Sequence, residues 1–258
     1  MDIPENLDKF DTLVSIIATL RAPGGCPWDR QQTHASLREN LLEECYEVLA
    51  ALDEGDAAKL REELGDLMLQ IVFHAQISDE AGEFGIGEVL ESINAKLVHR
   101  HPHIFGSEKV ENAEDVARNW ETLKREERGE DTSLLSGVPE QMPALGYSQS
   151  IQRRVAQVGF DWENIEGVIE KLAEEVSEFQ QSTGEEREEE FGDLLFTLVN
   201  VARRMGVDSE TALREANKKF YRRFSAMEKL CRQRGVDFAD LSFDEQNSLW
   251  EEAKKQVG

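Results

Sequence analysis

The chain writes the same five signatures twice, in the same order, and that repetition constrains its fold more than any other feature. The first half carries CPWD at 26–29, E-E-x-x-E at 43–47, ELGDLMLQIV at 63–72, NAKLVHR at 94–100 and WETLK at 120–124. The second half carries FDWE at 160–163, E-E-x-x-E at 174–178, EFGDLLFTLV at 190–199, NKKFYRR at 217–223 and WEEAK at 250–254. Similar gaps separate the signatures, so the chain reads as a tandem duplication of one unit. Between 126 and 146 the stretch EERGEDTSLLSGVPEQMPALG turns to charge, glycine and two prolines, the composition of a connection. This organisation predicts a first module over 1–128, a linker over 129–146 and a second module over 147–258.

The periodicity inside each half is helical. Leu41, Cys45, Val48 and Leu49 recur at steps of three and four, as do Leu172, Val176 and Phe179. Strand patterns are nearly absent, so the expected fold is all-α. GEFGIG at 82–87 follows no strand and lacks a G-K-[ST] ending, which makes it a turn between helices and not a phosphate loop. No apolar run approaches the ~18–20 residues of a membrane span. The start MDIPENLDKFD shows no basic region followed by an apolar stretch, so no secretory signal is expected. Cys26, Cys45 and Cys231 are far apart and form no C-x-x-C pair, which suits reduced thiols in the cytoplasm. A net charge of −24 repels nucleic-acid polymers and anionic membranes and attracts divalent cations.

The duplicated acids carry the chemistry. With Glu174 at 0° on a helical wheel, Glu178 falls near 40° and Glu175 near 100°, while Leu172, Val176 and Phe179 gather around ~140–200°. The carboxylates therefore occupy an arc beside the apolar stripe. Glu190 and Asp193, three apart, share a face of the next helix. Two such helices packed along their stripes would bring four or five carboxylates together, and an empty cluster of that kind repels itself. A hard dication with oxygen ligands relieves the conflict, and no glutamate here has a histidine three residues later, as a di-iron bundle would need. The expected ion is Mg²⁺ or Mn²⁺. The first half offers the equivalent set Glu43, Glu44, Glu47, Glu63 and Asp66. A solvated helix face explains one such pattern; two in register with other landmarks point to a site.

Opposite charge comes from N-x-K-x-x-x-R. Asn94, Lys96 and Arg100, and in the second copy Asn217, Lys219 and Arg223, place a cationic clamp suited to phosphate oxygens on adjacent turns. Trp120 with Lys124, and Trp250 with Lys254, put an indole one turn from an ammonium, an arrangement for a base and a phosphate, although a core role is the commoner use of Trp. Trp28 and Trp162 read as structural. RHPHIF at 100–105 reads as a helix-ending turn, and His34 and His74 as surface or core positions within helices.

GGCPWDRQQT, LEECYEVLAAL, EELGDLMLQIVFHAQ, RHPHIFG, VGFDW and EEFGDLLFTLVN together resemble the MazG family, two-copy nucleoside triphosphate pyrophosphohydrolases of the all-α NTP pyrophosphatase superfamily, essentially from end to end. The resemblance implies a tandem pair of four-helix-bundle-like modules assembled as a homodimer. It implies Mg²⁺-dependent hydrolysis of NTPs to NMP and pyrophosphate, a nucleotide-pool house-cleaning role. Carried onto this chain, the metal ligands would be Glu175, Glu178, Glu190 and Asp193 with Glu174 beside them. Lys171, Asn217, Lys219, Arg223, Trp250 and Lys254 would handle the nucleotide. Lys171 stands three residues before the second pair of glutamates, inside the carboxylate arc, where the first copy has Asn40. The second copy is therefore the expected catalytic site, with Glu174 activating water and Lys171, Lys219 and Arg223 offsetting charge on the departing pyrophosphate. The alternatives are a narrow dUTP, dCTP or phosphoribosyl-ATP pyrophosphohydrolase, or a non-catalytic helical module that binds nucleotides or a partner.

Overall fold

The computed structural model describes residues 4–110, 112–128 and 133–257. Within them every regular element is a helix. The chain divides into two compact units, Met1–Lys124 and Arg125–Gly258. The first holds α1 (Phe10–Arg21), α2 (Pro27–Gln31), α3 (Arg38–Glu54), α4 (Ala57–Glu80), α5 (Ile86–Arg100), α6 (Pro102–Phe105) and most of α7 (Ala113–Arg128), inside which the division falls. The second holds α8 (Ala144–Ala156), α9 (Ile165–Gln181), α10 (Glu186–Arg204), α11 (Ser209–Arg234), a 3₁₀ turn at Phe238–Asp240 and α12 (Phe243–Val257). Residues 129–132 of the expected linker lie outside the described residues, and its last three positions, 144–146, belong to α8.

The duplication is visible in the packing. α3 packs on α4 as α9 packs on α10; α1 meets α4 as α8 meets α10; α4 meets α5 as α10 meets α11. In each unit the acid-bearing helices are neighbours in sequence joined by a short connection. In the first, α3 ends on Gly55 in the left-handed region at φ 67°, and Asp56 then caps α4 by accepting from the Ala58 and Lys59 amides. A side chain at Gly55 would strain that backbone, so glycine is what lets the two helices turn back on each other. In the second, the connection is longer; Ser182 is buried and its hydroxyl donates to the Phe179 carbonyl.

The core of the first unit is built by Ile17 of α1, Leu37, and Val72 and Phe73 of α4. In the second, Met227, Leu230 and Cys231 of α11 pack with Leu249 and Ala253 of α12, while Val168 and Val199 are sealed between α9 and its neighbours. All three cysteines are free thiols. Among the described residues no helix is long and apolar enough to cross a membrane.

Candidate functional site

Val168 is fully buried on α9, and Glu175 lies seven residues further, about 20° around the same face. Glu175 is thereby drawn into the buried line of the helix, not merely beside it: its side chain is 6% exposed, against 57% for Glu174. The same offset operates in α3, where buried Ala51 lies seven residues after half-buried Glu44. In each unit the inward glutamate meets both acids of E-x-x-D on the facing helix. Carboxylate oxygens of Glu175, Glu190 and Asp193 lie within 4.8 Å of one another, as do those of Glu44, Glu63 and Asp66.

The remaining expected ligands sit around these two triads. Glu47 lies close enough to Glu44 and Glu63 to act on both carboxyls. Glu178 is close enough to Glu190 to act on its charge. Glu174 and Glu43 are exposed and stand outside the triads. Burial first, and then the neighbouring carboxylates, push Glu44, Glu63 and Glu190 above the ordinary carboxyl value. Glu175 Oε2 is buried with no hydrogen-bond partner among the described residues. A carboxylate oxygen in that state is costly unless a cation faces it. An all-oxygen donor set with an orphaned buried anion fits a hard dication.

Lys171 distinguishes the copies. Its Nζ lies 2.8 Å from Glu174 and 2.8 Å from Glu175, and hydrogen bonds to these two, Glu174 first, hold the ammonium well above its ordinary value. The first copy has Asn40 at that position.

The clamp and tryptophan landmarks turn out to be joined. The Arg223 guanidinium lies over the Trp250 ring at 5.7 Å, and Arg100 lies over Trp120 at 5.5 Å. Trp250 also packs against the α11–α12 core, Phe220 touches its ring, and Lys254 pairs with Glu251 at 2.6 Å. Asn217 and Lys219 are exposed on α11, a helix that packs chiefly on α12 and also touches α8 and α10. The structure thus gathers the carboxylates with Lys171, and gathers Arg223 with Trp250, on different helix pairs.

Several features escaped the sequence reading. Arg203 Nη2 lies 2.6 Å from Asp161 Oδ1, Arg204 adds a second contact, and Asn200 braces Arg203 at 2.7 Å, so the FDWE landmark anchors the C-terminal end of α10. CPWD is anchored differently: Arg21 donates to the Asp29 and Gln32 carbonyls and pairs with Glu80. Trp28 is 62% exposed and is not a core residue of its unit, contrary to the structural role expected for it. Trp162 fits that role better, lying so close to Gly167 that any Cβ there would meet it at 2.8 Å. His34 is in a turn and not a helix, and its Nδ1 lies 2.7 Å from Nδ1 of His74. Lastly, Gly65 and Gly192, the glycines inside E-x-G-D, have nothing within 4 Å of where a Cβ would be.

The MazG nucleotide pyrophosphohydrolase domain matches residues 32–105 and again 163–227, which covers both carboxylate triads. The chain belongs to the MazG family. It is 46% identical over 247 residues to the nucleoside triphosphate pyrophosphohydrolase/pyrophosphatase MazG of Thermotoga maritima, spanning 95% of each chain. It is 40% identical over 259 residues to the nucleoside triphosphate pyrophosphohydrolase of Escherichia coli K12, covering 97% of this chain and 98% of that one. YabN of Bacillus subtilis is 46% identical over 253 residues, 96% of this chain and 52% of YabN, so the matched stretch is about half of a longer protein.

Proposed function

We propose that the chain hydrolyses nucleoside triphosphates and deoxynucleoside triphosphates to the monophosphate and pyrophosphate, using Mg²⁺ or Mn²⁺, and so clears nucleotides from the pool. Family membership supports the reaction class, and the buried, unpartnered Glu175 Oε2 beside Glu190 and Asp193 carries the metal assignment.

In this reading Glu175, Glu190 and Asp193 hold the metal, with Glu178 at the margin. Bound magnesium would supply Lewis-acid polarisation of the phosphate chain. Glu174, exposed and one position from the triad, takes the proton of the attacking water as its oxygen bonds to the α-phosphorus. The bond from that phosphorus to the bridging oxygen breaks, and pyrophosphate leaves. Lys171 exchanges its carboxylate partners for the phosphate chain, and Lys219 and Arg223 meet the leaving group's charge. Trp250 and Lys254 contact the base and the phosphates, and Asn217 on α11 is a further nucleotide contact. The first-copy triad of Glu44, Glu63 and Asp66, with Glu47 beside it and Glu43 as the exposed counterpart of Glu174, would hold a metal without the lysine.

The same reading includes a homodimer. Leu42, Tyr46 and Leu49 on α3 and Leu64, Met68 and Ile71 on α4 are each more than a third exposed, and apolar stripes of that length favour self-association. Free cysteines suit a cytoplasmic setting. The deciding experiment incubates the protein with each NTP and dNTP, with and without Mg²⁺, and separates products by ion exchange. NMP and pyrophosphate, appearing only with metal, are expected; NDP and orthophosphate as first products overturn the reading. Turnover of a single nucleotide would replace broad substrate choice with a narrow one, and sedimentation at micromolar concentration reports the dimer.

A further inference from the structure

One polar cluster with no part in the carboxylate chemistry lies on the first unit and has no counterpart at the matching positions of the second. His34, in the turn before α3, and His74, on α4, lie edge to edge with ring centroids 5.1 Å apart and planes 1° from parallel. Their Nδ1 atoms are 2.7 Å apart, a hydrogen-bond distance that requires one proton between them. His34 Nε2 lies 3.3 Å from the hydroxyl of Ser78, one turn beyond His74 and itself buried, and His74 Nε2 is buried without a partner among the described residues. The second copy has Ile165 nine residues before Glu174, where His34 precedes Glu43, and Val201 eight after Asp193, where His74 follows Asp66.

Counting protons gives the behaviour of the pair. Two neutral rings carry two protons, one in the Nδ1–Nδ1 bridge and one on an Nε2. A third proton fits, on the other Nε2, with the bridge intact. A fourth puts two N–H donors against each other at 2.7 Å on two positive rings lying edge to edge, so the rings must separate. We propose that His34 and His74 form a proton-operated latch, which ties the turn over 33–36 to α4 until the pair becomes doubly protonated and then frees that turn, while Leu37 stays seated in the core at the start of α3. The turn leads into the helix that carries Glu43, Glu44 and Glu47, so acid loosens the lead into the first-copy site and leaves the second copy alone.

The surroundings leave the pair without a carboxylate partner. α4 packs on α1, α3 and α5. Arg21 on α1 is committed to Glu80 and to the Asp29 and Gln32 carbonyls. Glu88 on α5 caps Gly85, and Arg38, Glu39 and Asp79 are exposed at the ends of α3 and α4. Burial first, and then the charge of His34, hold His74 below the ordinary imidazole value. With the folded value depressed, the unfolded chain takes up protons first. The contribution to stability is then full above the ordinary value of about 6.5 and is lost as pH falls below it. Arg21 holds the Asp29 and Gln32 carbonyls independently of the pair, so release is confined to the part of the segment beyond Gln32.

The test is hydrogen exchange of the full chain at pH 8 and pH 5.5, corrected for intrinsic rates, comparing peptides over 32–40 and 163–171. The first should lose about tenfold protection or more at the lower pH, the effect of one pK unit of coupling, and the second should not. His74→Val, the second-copy residue, should abolish the difference while keeping every carboxylate. Equal protection of 32–40 at both pH values, or the same loss in His74→Val, overturns the latch. Imidazole NMR titration of the unsubstituted chain decides the matter if that variant does not fold. Two of the five histidines should titrate in coupled steps more than one unit apart, and two independent simple curves overturn it.

Discussion

Lys171 and Asn40 occupy matching places in two otherwise parallel sites, and that one difference sets which copy should work. Glu175→Gln keeps the shape of the inward side chain and removes the charge that would face the proposed metal. Steady-state pyrophosphate release should fall by at least ~10²-fold, the lower end for losing a positioned catalytic group. Glu44→Gln should leave most turnover intact, and Lys171→Asn should lower kcat/KM by withdrawing a cation from the phosphate chain. Equal losses from the two glutamine substitutions would show that both copies turn over. The pairing of acids was legible in the sequence, but which glutamate faces inward was not. The wheel centred the apolar stripe on Leu172, Val176 and Phe179, whereas burial centres it near Val168, which carries Glu175 inside and leaves Glu174 in solvent.

At the scale of elements, the acid faces of α3–α4 and α9–α10 act on stability as well as on chemistry. Glu44, Glu63 and Glu190 have folded-state values raised above the ordinary 4.5, so ionising them opposes folding. The penalty is absent below about 4.5 and grows as pH rises through the raised values. Melting curves without metal should therefore show stability declining above that pH. Saturating Mg²⁺ should flatten the decline and add about 2.7 kcal/mol at a hundredfold excess over Kd. Identical midpoints with and without metal would count against a shared carboxylate site. Asp161→Ala tests another element: stranding Arg203 and Arg204 at the end of α10 should cost about 3 kcal/mol in denaturant titration, with the m-value unchanged. The order of helices and their pairing were legible because the repeat and the 3.6-residue period agree. The anchors were not, because the arginines that hold CPWD and FDWE lie outside the repeated words. His34 was misplaced for a local reason. Thr33 and Ser36 exchange side-chain to backbone hydrogen bonds at 2.9 and 3.1 Å, and such bonds compete with helix in this turn.

Across the whole molecule, a charge of −24 surrounds a site that must admit a polyanion. Screening should help such an enzyme. At fixed saturating Mg²⁺, kcat/KM should rise as KCl is increased from low concentration to about 0.15 M, where the Debye length is about 8 Å. A fall over that range would mean that local cations, not the global field, govern approach. The duplication adds a consequence of its own. Lys171 already occupies, as a positive charge 2.8 Å from two carboxylates, part of the place a dication would take. Free Mg²⁺ entering the second copy must compete with a resident ammonium, while the first copy offers its acids beside a neutral asparagine. Competition of this kind weakens the hold on bare metal and releases a cation at the moment the phosphate chain arrives. The two sites should therefore rank in opposite orders: the first copy the better chelator, the second the better catalyst, and titrating the chain with metal alone should fill the first-copy site first.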